Sequence, residues 1–248
     1  MATWPSPDGP PRGPMGGRTD GGRLSRWSRL PGPPSEVLAA GQAPLVLGGE
    51  CTLAIALVAA VVGRYGDVGL LYVDGGQDLM IPADHPREPI LDAIGVAHML
   101  DLPGCVPELA AIGSRRPLLQ PTDVAFLGFV GDEEDVHGLV SAPRLPGTEV
   151  IANPVSAGRP ALTALPHRHL VLHFDVDVVD ALDLPLADIA TYGTGVQLDH
   201  VAPLLGTFVA DPRVVGMSIV EANPDHDPDG TSIRRLLAVI AGALAAAD

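Results

Sequence analysis

The sequence predicts a three-layer αβα domain built on a parallel sheet. Three observations carry that expectation. Short continuous apolar runs, such as Leu170-Val171-Leu172-His173-Phe174, alternate with longer amphipathic segments along the chain. The runs do not alternate apolar with polar residues, so both faces of each strand are covered by helices. Several runs also end in acidic or glycine-rich turns, as strands do at the carboxyl edge of such a sheet, where α/β proteins bind their ligands.

Each element follows from local pattern. A short helix is expected from Ser35 to Ala40. Pro44 to Leu47 reads as a strand, then the turn Gly48-Gly49 and a helix from about Thr52 to Arg64. Val68 to Val73 is the next strand, stopping at Asp74. Leu91 to Leu100 reads as helix, Asp123 to Phe129 and Glu149 to Ala152 as strands, and Ala161 to Leu165 as the end of a helix. Leu170 to Phe174 is a buried strand. Gln197 to Phe208 is helical, Val214 to Val220 is a strand, and Ser232 to Ala247 is the closing helix.

Composition narrows the function classes. The chain has 248 residues, 46% of them hydrophobic and only 4% aromatic, so aliphatic side chains must build the core. The net charge of −15 argues against nucleic acid, because phosphate contacts need basic patches. All fifteen basic residues are arginine. No run has the length of a transmembrane helix, which excludes a membrane span on this reading. Two cysteines, Cys51 and Cys105, make no disulfide framework and suit a reducing cytoplasm. Residues 1–35 hold eight prolines and seven glycines and read as a disordered, mildly basic tail before a domain at 36–248.

The chemistry gathers at strand ends. Asp175-Val176-Asp177-Val178-Val179-Asp180 closes a buried strand, and residues two apart on a strand project from one face. Two buried carboxylates so placed repel each other unless a cation lies between them. The other strand ends are Gly48-Gly49-Glu50-Cys51, Asp74-Gly75-Gly76-Gln77-Asp78 and Glu221-Ala222-Asn223-Pro224.

In that order these four motifs resemble the ureohydrolase family of arginase, agmatinase and formiminoglutamase, from about Pro44 to the C-terminus. The family pattern is Gly-Gly-Asp-His, Asp-Ala-His-x-Asp, Asp-x-Asp-x-x-Asp and Glu-x-x-Pro. Tyr192-Gly193-Thr194-Gly195 is similar to its Gly-Thr loop. The resemblance implies an arginase-like fold, a homo-oligomer of three or six copies, and two Mn²⁺ ions activating a hydroxide against a guanidinium carbon. It implies Asp74, Asp78, Asp175 and Asp177 as metal ligands, and Asp78 with Asp92 in the catalytic machinery. Glu221 and Thr194 would bind a small cationic guanidino substrate.

The chain departs from the family at both ligand histidines. Cys51 stands at the first and Gly76 at the second, and glycine offers no side-chain donor. Cys51 reads either as a thiolate ligand, softer than Mn²⁺ prefers, or as a small buried residue. A helix start at Cys51 would lower its pKa. The aspartates suit a hard ion, Mn²⁺ first, and the count is one or two ions, or none if the metal is lost. Asp92 aligns with the family's proton-shuttling histidine. His98 reads as a core histidine or its substitute, and His173 as a structural residue or an outer support. Asp225, His226, Asp227 and Asp229 read as a solvated turn or a second metal cluster. Two functions follow: an amidinohydrolase releasing urea or a similar fragment, or an inactive scaffold of the same fold.

Overall fold

A computed structural model describes residues 32–83, 91–131, 135 and 138–246. The tail expected at 1–35 lies outside the described residues as far as residue 31. Six strands form one sheet: β1 (Leu45–Leu47), β2 (Val68–Val73), β3 (Val124–Leu127), β4 (Arg144–Leu145), β5 (His169–Asp175) and β6 (Val214–Val220). Their order is β1-β6-β5-β2-β3-β4, and every pairing is parallel.

The helices that cover the sheet are α1 (Pro34–Ala39), α2 (Leu53–Tyr65), α3 (Gly95–Met99), α4 (Pro107–Ala110), α5 (Gly147–Ala152), α6 (Gly158–Ala164), α7 (Leu198–Ala210) and α8 (Thr231–Ala246). Alternation along the strands divides the core into two. Leu70, Tyr72 and Val171 face α2 and α3 with Leu57, Val61 and Met99. Leu71, Val73, Leu172 and Phe174 face the other way, onto Leu204, Phe208 and Leu236 of α7 and α8. The result is the expected three-layer arrangement, with continuous apolar strands because neither face meets water.

The strand order locates the site. From β2 the chain runs through α3 to β3, on one side. From β5 it runs through α7 to β6, on the other side and across the opposite face. The chain therefore leaves the carboxyl ends of β2 and β5, neighbours in the sheet, in opposite directions, which makes a topological switch point. Asp74 and Asp175 stand there.

Two expected elements differ. Glu149 to Ala152 is not a strand but the latter part of α5. Pro146, extended at φ −62° and ψ 161°, ends the preceding segment and starts that helix, and Val150 buries its β-branched side chain in the core from a helical turn. The edge strand is the two-residue β4 just before it, pairing with Phe126 and Leu127. The helix expected at Leu91 to Leu100 is a 3₁₀ turn, Asp92–Ile94, followed by one short helix, α3.

Candidate functional site

Four side chains meet beneath the switch point. Cys51, just ahead of α2, directs Sγ to within 2.7 Å of Asp175 Oδ2, 3.3 Å of His173 Nε2 and 3.5 Å of Asp74 Oδ2. One donor atom from each of Cys51, Asp74, His173 and Asp175 lies within 4.8 Å of all the others, and all four residues are buried. A second group, Asp92, Asp175 and Glu221, shares Asp175 and satisfies the same 4.8 Å limit. The two groups form an inner, sealed centre and an outer, half-exposed one joined by one carboxylate.

The backbone builds this arrangement. Tyr72 of β2, His173 of β5 and Ser218 of β6 are register partners in one row across the sheet. Tyr72 stacks on the His173 ring at 4.3 Å, and His173 Nδ1 lies 2.9 Å from Ser218 Oγ. Asp74 and Asp175 emerge from the same face two residues further along β2 and β5. The far oxygen of each is held by backbone: Asp74 Oδ1 accepts from Gly76 N at 2.6 Å, and Asp175 Oδ1 accepts from Asp177 N at 2.7 Å. A Cβ on Gly75 would sit tightly, 3.0–3.1 Å from the Asp177 carbonyl and carboxyl oxygens, so any larger residue there would push on Asp177.

Other expected site residues take different partners. Asp78, at φ 51°, accepts a hydrogen bond from the Tyr72 hydroxyl. Asp177 Oδ1 accepts from Gly75 N at 2.8 Å. Among the described residues, neither joins the two groups whose donors could close on one ion. Glu221, at φ 62°, lines a cleft of about 430 Å³ with Gly49, Glu50, Asp188, Ala222 and Asn223. Thr194 is exposed and lines a different, larger hollow of about 830 Å³ together with Asp180. Asp180 organises that loop: its carboxylate accepts from Leu182 N and Gly195 N. Gly76 is half-buried and carries no side chain.

Electrostatics follow from crowding. Burial, then the charges of Asp177 and Asp74, pushes the Asp175 carboxyl well above the usual carboxylate range. Asp177 moves the same way through burial and Asp74. Burial and four carboxylates hold the Cys51 thiol protonated, overriding the lowering expected of a helix start. Burial takes His173 down to about 3, so its ring is neutral. Glu221 is raised to about 8, first by burial and then by Asp92 beside it. A cation at this point would reverse these preferences for the acids and the thiol.

His98 is a satisfied core histidine. It is fully buried, its Nε2 accepts from Val106 N at 2.9 Å, and Nδ1 faces the Ile94 carbonyl at 2.7 Å. Asp227 and Asp229 cap α8 by accepting from Ser232, Ile233 and Thr231 amides, and His226 pairs with Asp188 at 3.2 Å. Among the described residues none of these joins a metal-capable group.

The family model described as "Arginase family" matches residues 33–246. The chain belongs to the arginase family. Arginase of Saccharomyces cerevisiae is 26% identical over 212 residues, covering 78% of this chain and 61% of that protein. Arginase of Staphylococcus aureus (strain MRSA252) is 28% identical, covering 74% and 62%. This arginase-family chain thus spans about three fifths of the length of those relatives. The crystal structure of Bacillus caldovelox arginase superposes with a TM-score of 0.74 at 22% identity, covering 86% of this chain and 70% of that one. Proclavaminate amidino hydrolase of Streptomyces clavuligerus superposes at 0.67 and 22% identity, covering 86% and 68%. These likenesses establish the arginase-like α/β fold.

The family's binuclear metal centre can be tested against the donors of this arginase-family chain. The inner group offers one sulfur, one imidazole nitrogen and two carboxylates around one point. That set fits one divalent ion. The two-histidine shell of the family is not matched, since Cys51 and Gly76 stand at those positions and Gly76 offers no side-chain donor; Asp78 meets Tyr72 and one oxygen of Asp177 meets Gly75 N. His173, read from the sequence as a structural residue or an outer support on the face of Asp175, has its Nε2 3.3 Å from Cys51 Sγ, a contact that strand periodicity does not announce. Among the described residues no helix is long and apolar enough to cross a membrane.

Proposed function

We propose that this chain is a metal-dependent hydrolase that cleaves a C–N bond of a small cationic guanidino or amidine compound, releasing urea or a similar fragment. The observation that carries the reading is the outer group: Asp92, Asp175 and Glu221 converge within 4.8 Å, immediately beside a metal-capable cluster, with no cationic side chain among them. An acidic mouth of that kind suits a guanidinium, whose planar N–H groups match carboxylate acceptors. Cys51, Asp74, His173 and Asp175 would hold the ion, which would supply a Lewis acid, and an acidified water only where one of the four donors yields its place or a fifth position opens toward the outer group.

The chain's own groups divide the remaining work. Glu221 accepts from the guanidinium at the cleft that it shares with Asn223 and Glu50. Asp92, within 4.8 Å of both Glu221 and Asp175, would pass a proton to the departing amine as water adds to the guanidino carbon. Asp78 acts indirectly, fixed by Tyr72. Thr194 would meet the substrate's far end only if that end reaches the larger hollow. The reading includes a homo-oligomer of three or six copies in a reducing cytoplasm, which light scattering checks for assembly.

A second reading is a scaffold of the same fold without turnover. It is favoured by one observation: the inner group provides four protein donors and is sealed from solvent, which is how structural zinc sites are built. The discriminating experiment is urea or ammonia release from a panel of linear guanidino compounds, arginine and agmatine among them, after loading with Zn²⁺ or Mn²⁺. Turnover lost in Glu221→Gln supports the hydrolase. No turnover with either loaded ion leaves the scaffold.

A further inference from the structure

We propose that the metal centre of this chain is a single-ion site of borderline-soft character, formed by Cys51 Sγ, Asp74 Oδ2, His173 Nε2 and Asp175 Oδ2, which takes Zn²⁺ in preference to Mn²⁺. The inference rests on the reading of the strand ends as metal-holding and deepens it by naming the donor set and the ion class.

The spacing of the donors is the first argument. A tetrahedral site with bonds of about 2.0–2.3 Å has donor-to-donor edges of roughly 3.3–3.8 Å. Cys51 Sγ lies 3.3 Å from His173 Nε2 and 3.5 Å from Asp74 Oδ2, and His173 Nε2 lies 3.7 Å from Asp74 Oδ2. Asp175 Oδ2, at 2.7 Å from the sulfur, is at hydrogen-bonding distance and needs to draw back by roughly 0.6–1.1 Å to reach that range.

Pre-organisation is the second and independent argument. Three of the four ligands are pinned at the atom facing away from the centre. Gly76 N holds Asp74 Oδ1 at 2.6 Å, Asp177 N holds Asp175 Oδ1 at 2.7 Å, and Ser218 Oγ meets His173 Nδ1 at 2.9 Å. With Nδ1–H donating to Ser218, the ring presents its Nε2 lone pair to the other three donors. Stacking on Tyr72 fixes the ring plane. Outer partners that orient each ligand in this way are characteristic of metal sites.

Donor chemistry sets the ion. A thiolate and an imidazole favour Zn²⁺, whereas Mn²⁺ prefers carboxylate and water oxygens. The outer group of Asp92, Asp175 and Glu221 offers only carboxylates, one of them shared with the inner ion, and Gly76 adds no side-chain donor, so it is no equivalent of the inner shell.

The test uses the full chain, stripped with a chelator and refilled with Co²⁺, Zn²⁺ or Mn²⁺. Co²⁺ is a spectroscopic probe: a cysteine ligand gives a sulfur-to-cobalt charge-transfer absorption that carboxylates do not. The proposal expects one Zn²⁺ per chain, that absorption in the wild-type cobalt form, and Zn²⁺ displacing Mn²⁺ in competition. Cys51→Ser should abolish the absorption and weaken Zn²⁺ by more than the roughly 10–100-fold that loss of an outer-shell partner costs. Ser218→Ala should keep the absorption and weaken Zn²⁺ by about 10–100-fold. The absorption is read on the wild-type chain, so a variant that fails to fold does not blunt the result. Cobalt bound without the absorption, equal Zn²⁺ affinity in Cys51→Ser, or no ion bound at all would overturn it. If the ion behaves as stated and no guanidino compound is hydrolysed, the hydrolase reading falls and this one stands. If urea is released equally by wild type and Cys51→Ser with Mn²⁺, this one falls alone.

Discussion

Replacing Asp175 by asparagine should stabilise the chain without metal and destabilise it with metal. Asp175 is fully buried, and its donor oxygen lies within 4.8 Å of that of Asp74. Two unit charges at that distance repel by about 3.5 kcal/mol at an effective dielectric of about 20. The asparagine keeps an oxygen for the Asp177 amide and removes that repulsion. It gives up the hydrogen bond from the Cys51 thiol, worth about 1 kcal/mol. The net gain is on the order of 2 kcal/mol at a pH high enough to ionise both acids, which for a domain of this size is a rise in Tm of about 4–8 °C. With Zn²⁺ at a hundredfold excess over Kd the wild type gains about 2.7 kcal/mol that the variant largely forfeits. Thermal unfolding followed by circular dichroism, at pH 9 with chelator and again with Zn²⁺, reads both. The reasoning is refuted if Asp175→Asn melts below wild type under both conditions.

Further perturbations follow from the same geometry. Glu221 is raised to about 8, so a cationic ligand that needs its ionised form should bind about tenfold tighter per pH unit up to that value and no tighter beyond. Calorimetric titration from pH 6 to 9 checks this, and a flat profile counts against Glu221 as the cation's partner. Because the folded pKa exceeds the unfolded one, metal-free stability should fall as pH rises from the ordinary carboxylate range to about 8, and urea midpoints across that range record it. Gly128 at φ 94° would set a Cβ 2.3 Å from Val178 Cγ2 beneath the Asp175–Asp177 turn, so Gly128→Ala should cost about 2–4 kcal/mol in urea unfolding. His173→Phe keeps an aromatic ring to stack on Tyr72 but is larger, loses the contact to Ser218 and removes the Nε2 donor, so the metal-free chain should lose some stability and Zn²⁺ affinity should drop by more than about 100-fold.

Much of this fold is readable from the chain. The apolar strands at Val68 to Val73 and Leu170 to Phe174 are buried on both faces, which leaves only a parallel sheet as their setting. The segment around Val150 misleads because β-branched residues favour strands, while Pro146 and the contact of Val150 with the core decide for a helix. A two-residue strand such as β4 carries too little pattern to announce itself.

The site is legible in its carboxylates and obscure in its histidine. Strand periodicity puts His173 on the face of Asp175 but says nothing of how deep the centre lies. Cys51 fixes that depth, and only the crossing of α2 over β5 shows it. Nor does the sequence reveal that Asp78 turns to Tyr72, since that contact depends on a positive φ at a non-glycine residue. The lowering of the Cys51 pKa expected from a helix start fails because burial first, and then the carboxylates of Asp78, Asp74, Asp175 and Asp92, outweigh a backbone dipole.

An arginase-family centre rebuilt around one borderline-soft ion should be visible in the metal content of the purified chain. After equilibration with Zn²⁺ and Mn²⁺ together, elemental mass spectrometry should find one zinc and no manganese per chain. Two ions per chain, manganese in place of zinc, or no bound ion would contradict it.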